Sequence, residues 1–114
     1  MRNKIGPRHG GESMRRATTP THKYILPFET SKIKKILVTY AQDSRIVTEK
    51  TEKDVIFIDD RTVQVTLTQQ ETAKFNAAKQ IKIQIRILTQ DNKALASQIY
   101  TRPCDDVLNP EVLA

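Results

Sequence analysis

The chain has 114 residues, with 19 Lys and Arg against 13 Asp and Glu for a net charge of +6. Hydrophobic residues make up 38% and aromatics 5%, with no Trp. That is too apolar for a disordered chain, and apolar runs of three or four residues are too short for a transmembrane helix. The length suits one domain and not two.

The chain opens on an unusual segment. All three glycines, Gly6, Gly10 and Gly11, precede Met14. Residues 1–16 carry five basic groups against Glu12, a balance of +4, whereas residues 17–114 carry 14 against 12, a balance of +2. A nucleic-acid-binding domain would hold its excess on the folded part. The opening segment has no apolar h-region of the kind a secretory signal needs. Gly10-Gly11-Glu12 stands just ahead of Met14, and codons for these residues can spell a purine-rich ribosome-binding site. The expectation is a disordered basic leader over 1–16, of which 1–13 is not native and Met14 is the bacterial start. A sandwich domain over 17–106 and a tail over 107–114 follow.

From Tyr24 onward the sequence reads as short strands. Tyr24-Ile25-Leu26-Pro27-Phe28 is the first, and Pro27, which cannot donate to a ladder, predicts a sheet edge or a bulge there. Ile33 to Tyr40, with Ile33, Ile36, Leu37, Val38 and Tyr40, is apolar enough for a central strand. Arg45 to Lys50 pairs with it through the turn Gln42-Asp43-Ser44. Val55 to Ile58 is a short apolar run, and Asp59-Asp60-Arg61 turns it into the alternating strand Thr62 to Leu67. Thr68-Gln69-Gln70-Glu71 is a capping box, predicting one or two helical turns over 69–75, with Ala73 inward and Phe75 plugging the core. The clearest strand follows: Ile81, Ile83, Ile85 and Ile87 alternate with Lys82, Gln84 and Arg86, so one face is buried and one is wet. After the turn Asp91-Asn92-Lys93 comes a last strand over Ala94 to Thr101. Where hairpins usually place glycine, these turns use Asp and Asn, which tolerate left-handed backbone.

About seven strands at this spacing predict an all-β fold, a β-sandwich of antiparallel strands. A capped helical turn ahead of the longest strand is the connection that joins strands E and F in immunoglobulin-like sandwiches, so the expected topology is Ig-like. The tail from Val107 to Ala114 carries Val107, Leu108, Val112 and Leu113, with Asn109-Pro110-Glu111 as a helix start. It either folds back on the domain or docks a partner.

No chemistry-bearing constellation emerges. His9 and His22 have no Cys, Asp or Glu at ligand spacing, so no metal is expected. Cys104, the one cysteine, cannot form an internal disulfide, and its neighbours Asp105 and Asp106 would raise its pKa, against the needs of a nucleophile. Asp59-Asp60 and Asp105-Asp106 resemble an acid–base dyad on paper only, because neighbours along a strand point to opposite faces. No glycine-rich phosphate loop or nucleophile elbow is present, so no catalytic residue or cofactor is assigned, and an enzyme is not expected. Arg15, Arg16, Lys82 and Arg86 are the contact residues of an alternative nucleic-acid-binding reading. It lacks the exposed aromatics that stack on bases, since Tyr24, Tyr40, Tyr100, Phe28, Phe57 and Phe75 do not interleave with those cations.

The stretch Met14-Arg15-Arg16-Ala17-Thr18-Thr19-Pro20-Thr21-His22, leading into Leu26-Pro27-Phe28, carries a resemblance. It continues in Ile36-Leu37-Val38-Thr39-Tyr40-Ala41-Gln42, Leu67-Thr68-Gln69-Gln70-Glu71-Thr72, Ala94-Leu95-Ala96-Ser97 and Leu108-Asn109-Pro110-Glu111-Val112-Leu113. From Met14 to Leu113 the chain resembles small prophage proteins of Firmicutes encoded among tail and baseplate genes. The resemblance implies phage context rather than a reaction, with no catalytic or binding motif to carry over. The expected function is a non-enzymatic structural or accessory phage protein. It would sit in the bacterial cytoplasm during assembly and then in the virion, contacting other phage structural proteins or a second copy of itself, with no membrane partner. Tyr24, Ile25, Leu26 and Phe28, as an edge strand, and Val107, Leu108, Val112 and Leu113, as a tail, are the partner-docking candidates. The alternatives are the nucleic-acid module and a virion-surface carbohydrate-adhesion module.

Overall fold

The computed structural model describes residues 6–7, 13–27, 29–109 and 111–113. In chain order the strands are β1 (Gly6–Pro7), β2 (Met14–Arg15), β3 (Thr21–Ile25), β4 (Ile33–Gln42), β5 (Arg45–Thr51) and β6 (Ile56–Phe57). Then come β7 (Thr62–Thr66), β8 (Ile81–Thr89), β9 (Ala94–Ala96), β10 (Tyr100–Arg102) and β11 (Cys104–Asp105), with one helical segment, α1 (Gln69–Ala73), between β7 and β8. A 3-10 turn over Thr30–Lys32 leads into β4. One sheet runs β1-β3-β7-β6. The other runs β10-β8-β4-β5, with β9 also paired to β8. Pairing is antiparallel throughout both sheets, whereas β2 and β11 form a small parallel pair.

The expected all-β architecture is what the chain adopts. On β8 the four isoleucines 81, 83, 85 and 87 are buried, and Lys82 and Arg86 are exposed. Their inward face meets Val38 and Tyr40 of β4. Tyr24, Val63 and Val65 of the facing sheet complete a single core, making a two-layer sandwich. Each such side chain, fully buried, is worth about 1.5–3 kcal/mol. β4 is the central strand, flanked by β8 and β5, and Leu37 and Thr39 on its second face are half-buried. The capping box forms as written. The Glu71 N–H donates to Thr68 Oγ1 at 3.1 Å, and the Thr68 N–H donates to Glu71 Oε1 at 2.8 Å. Phe75 is buried below the turn, but Thr72 rather than Ala73 takes the inward position. The Thr72 hydroxyl accepts the Thr18 N–H and donates to the Thr18 carbonyl, tying α1 to the chain ahead of β3.

Several expectations need correction. The first strand is interior, lying between β1 and β7, and it ends at Ile25. Pro27 therefore falls beyond the ladder and disturbs no pairing. The basic leader does not extend to residue 16. Met14 is buried in the core, and β2 bonds to the C-terminal strand through Met14 N–H to Pro103 C=O and Arg16 N–H to Asp105 C=O, both 2.9 Å. A charge count cannot detect a strand this short. The last strand is broken in two at Ser97, whose hydroxyl replaces a main-chain acceptor by taking the Ile85 N–H at 3.0 Å. No helix forms at Asn109. Its side chain accepts the Glu111 N–H at 3.1 Å in a local turn instead.

Glycine-free turns leave non-glycine residues in left-handed backbone. Asp43 (φ 51°) and Ser44 (φ 62°) form the tight β4–β5 hairpin, and Asn92 (φ 65°) the β8–β9 turn, as their residue types suggest. Ala17 (φ 58°) and Ala78 (φ 69°) have no side chain to compensate the clash of Cβ with the following carbonyl, a cost of about 1 kcal/mol each. Replacing Ala78 with Gly is therefore expected to raise stability by about 0.5 kcal/mol, after allowing for the freer unfolded chain. Urea unfolding measures it, and a midpoint below wild type would contradict the strain argument.

Candidate functional site

Two features of the sandwich stand apart from its aliphatic packing: a buried polar cluster between the sheets, and a row of exposed isoleucines on the first sheet.

The cluster forms because β3 alternates. His22 and Tyr24 point inward, and Tyr40 comes from β4 across the core. Tyr40 Oη lies 3.0 Å from His22 Nδ1 and 3.0 Å from Tyr24 Oη. A hydroxyl donates only once, so Tyr40 accepts from at least one of the two. Arg102, on β10 and only 3% exposed, adds a positive field felt by all three rings. Burial, then Arg102, pulls the His22 pKa down to about 4, so the imidazole is neutral at pH 7. Burial pushes Tyr24 up to about 12 and Tyr40 well above the ordinary phenol value. Both tyrosines are fully buried. Buried between the layers, the hydrogen-bonded cluster holds the two sheets in one register.

The exposed row arises from the pairing of β3, β7 and β6. Residues directly opposite in an antiparallel ladder share a face. Ile25 opposes Thr62, which in turn accepts the Ile58 N–H at 3.1 Å through its carbonyl, and Ile56 opposes Gln64. Ile25, Ile56 and Ile58 thus lie on the outer face of the sheet, 45%, 59% and 42% exposed. Thr62 is buried between its two apolar neighbours.

The residues singled out from sequence divide between these places and others. Of the partner-docking set, Tyr24 and Leu26 are buried in the core, because alternation turns them to the inner face. Ile25 is exposed, and Phe28 lies outside the described residues. In the tail, Leu108 and Leu113 are exposed and Val107 and Val112 half-buried. The tail is tethered: the Gln69 side chain donates to the Leu113 carbonyl and accepts the Leu113 N–H, both at 2.9 Å. Ile56 and Ile58 were missed as docking residues. Their signal was the unbroken apolar run Val55 to Ile58, which a two-sided core strand would also show.

The nucleic-acid set separates as well. Arg15 donates to the Asp106 carbonyl and lies 3.7 Å from Asp105. Arg16 binds Asp106 Oδ1 at 2.8 Å and the Ala73 carbonyl at 2.9 Å. Arg16 is thereby tied into the fold, whereas the Arg15 side chain stays 56% exposed. Lys82 and Arg86 are exposed on the second sheet, opposite Ala41 and Thr101 and opposite Leu37 and Ala96, with no aromatic among these neighbours. Cys104 is buried, and burial raises its thiol pKa more than nearby Arg16 lowers it. Among the described residues no group of three or more His, Cys, Asp and Glu could hold a metal ion. An open hollow of about 430 Å³ beside the β8–β9 turn is lined by Lys32, Asp91, Lys93 and Leu95 with Thr89 and Gln90, and Asp91 there is already held by Thr89 and Lys93. No helix among the described residues is long and apolar enough to cross a membrane. The chain matches no family model, no curated protein and no solved structure.

The His22 environment has a measurable consequence. The unfolded chain titrates near 6.5 and the folded one near 4, so between these values the unfolded state binds more protons. The His22 contribution is complete above pH 6.5 and is lost as pH falls to about 4, by roughly 3 kcal/mol. A His22→Gln variant should show a shallower loss of stability over that window. Parallel curves for the two proteins in chemical unfolding would contradict the buried neutral imidazole.

Proposed function

We propose that this protein is a non-enzymatic structural or accessory component of a phage or prophage particle, in the tail or baseplate, acting through protein–protein contact. The observation that carries the contact reading is the outer row Ile25, Ile56 and Ile58, which runs to the edge strand β6. Exposed apolar side chains beside unpaired main-chain groups are the ordinary makings of a protein interface. The phage assignment rests on the resemblance of residues 14–113 to prophage tail-region proteins.

The finer topology is read as Ig-like. The order β1-β3-β7-β6 corresponds to strands A-B-E-D, and β10-β8-β4-β5 to G-F-C-C′. α1 with its capping box then falls at the E–F connection. The sheet order supports that reading without the Trp and disulfide of antibody domains. The engagement of Arg16 within the fold, and the absence of aromatic neighbours around Lys82 and Arg86, weaken the nucleic-acid alternative. The burial of Tyr24, Tyr40 and Phe75 leaves little for a sugar platform, which weakens the adhesion alternative.

Quantitative mass spectrometry of particles purified after prophage induction tests the proposal. The protein is expected at a fixed copy number per particle that survives a high-salt wash. Its recovery only in the particle-free fraction would overturn virion membership. Loss of an association with nucleic acid on raising salt, with a steep slope, would instead favour the basic-contact alternative.

A further inference from the structure

The outer face of the second sheet carries cations that the fold does not use. Residues opposite one another in an antiparallel ladder share a face. Lys82 lies opposite Ala41 and Thr101, Arg86 opposite Leu37 and Ala96, and Leu88 opposite Lys35 and Ala94. The isoleucines between them on β8 point inward, so these positions face out. Lys35, Lys82 and Arg86 are exposed, and among the described residues none of the three forms an ion pair. Asp43 and Glu52, the carboxylates that feel Lys82 and Lys35, are already taken by Lys79 and by the Ile36 N–H. The ladder places one acid on this face, Glu49 opposite Thr39, two strands away from β8.

The strand rise sets the spacing of the cations. Lys82 and Arg86 are four residues apart, about 13 Å, and Lys35, opposite Leu88, lies roughly 7 Å further along. An extended chain repeats its side chains on one face at that same interval, about 7 Å for every two residues. Among the cations stand Leu37, Ala41, Leu88, Ala94 and Ala96, half-buried or exposed. None is aromatic, so bases have nothing to stack on, and a phosphate backbone makes no use of apolar neighbours. A protein surface offers carboxylates and apolar groups together. We propose that the outer face of β8 and β4 receives an extended acidic segment of a partner protein, its carboxylates four and then two residues apart meeting Lys82, Arg86 and Lys35. The inference rests on the contact reading above and names the chemistry of the partner. Exposed ion pairs are individually weak, so this face selects and orients the partner more than it adds affinity.

An NMR titration of the isotope-labelled full chain with poly-L-glutamate at low ionic strength tests this. Shift changes are expected on Lys35, Lys82, Arg86 and their ladder neighbours, and salt should reverse them. Combining Lys82→Glu with Arg86→Glu should weaken binding about tenfold. Combining Lys23→Glu with Lys53→Glu makes the same change in net charge elsewhere and should leave affinity within about twofold. Glu49→Lys should tighten binding. All five side chains are exposed, so circular dichroism should not distinguish the variants from wild type. Shift changes confined to residues 1–16, or an equal loss in the Lys23 and Lys53 variant, would overturn the proposal. So would tighter binding of single-stranded DNA or of phosphatidylserine vesicles at matched charge. If this face fails while the protein is still recovered in particles, the contact reading stands without this partner. Absence from particles with polyglutamate binding intact does the reverse.

Discussion

The Tyr40 hydroxyl is the constraint around which the two layers are arranged. It is a polar group of one sheet that meets polar groups of the other, 3.0 Å from both His22 and Tyr24. Aliphatic packing between sheets tolerates small slips, because one isoleucine replaces another at similar cost. A buried hydrogen-bonded chain does not, since a slip leaves a donor or acceptor without a partner, a loss of about 1–3 kcal/mol. The register of β3 against β4 is therefore defined more sharply by three rings than by the aliphatic contacts around them. The neutral imidazole and high phenol pKa values follow from the same burial.

Much of this fold is legible in the sequence where one residue decides one thing. The period of two in Ile81 to Ile87 gives β8 its inward face. Thr68 and Glu71 define the helical turn because their side chains answer each other's main chain within four residues. Asp43 and Asn92 mark the left-handed turns. The misreadings come where the deciding partner is distant in sequence. Pro27 suggests an edge only if it lies inside the strand, and the strand's end is set by its pairing with β7. Met14 looks like part of a charged leader until Pro103 and Asp105 are brought beside it. Arg15 and Arg16 look free for the same reason, because Asp105 and Asp106 lie some ninety positions away.

The candidate surface was harder to see than the fold. Val55 to Ile58 is an apolar run that periodicity alone cannot divide between a buried strand and an exposed edge. Only the ladder shows that Ile56 and Ile58 face outward, with Thr62 beneath them. Tyr24 and Leu26, expected to dock a partner as part of an edge strand, instead turn inward and pack in the core. Exposure is a property of the assembled sheets.

The parallel clasp of β2 and β11 has a mechanical implication. The chain enters the clasp at Met14 and leaves it at Asp105, and the two strands run the same way side by side. Tension drawn through the flanking segments pulls the strands in opposite senses along their length. The Met14 and Arg16 amide bonds and the Arg16–Asp106 ion pair are then strained together instead of being peeled one at a time. Such a junction yields in shear as one unit, which resists load better than strands opened pair by pair.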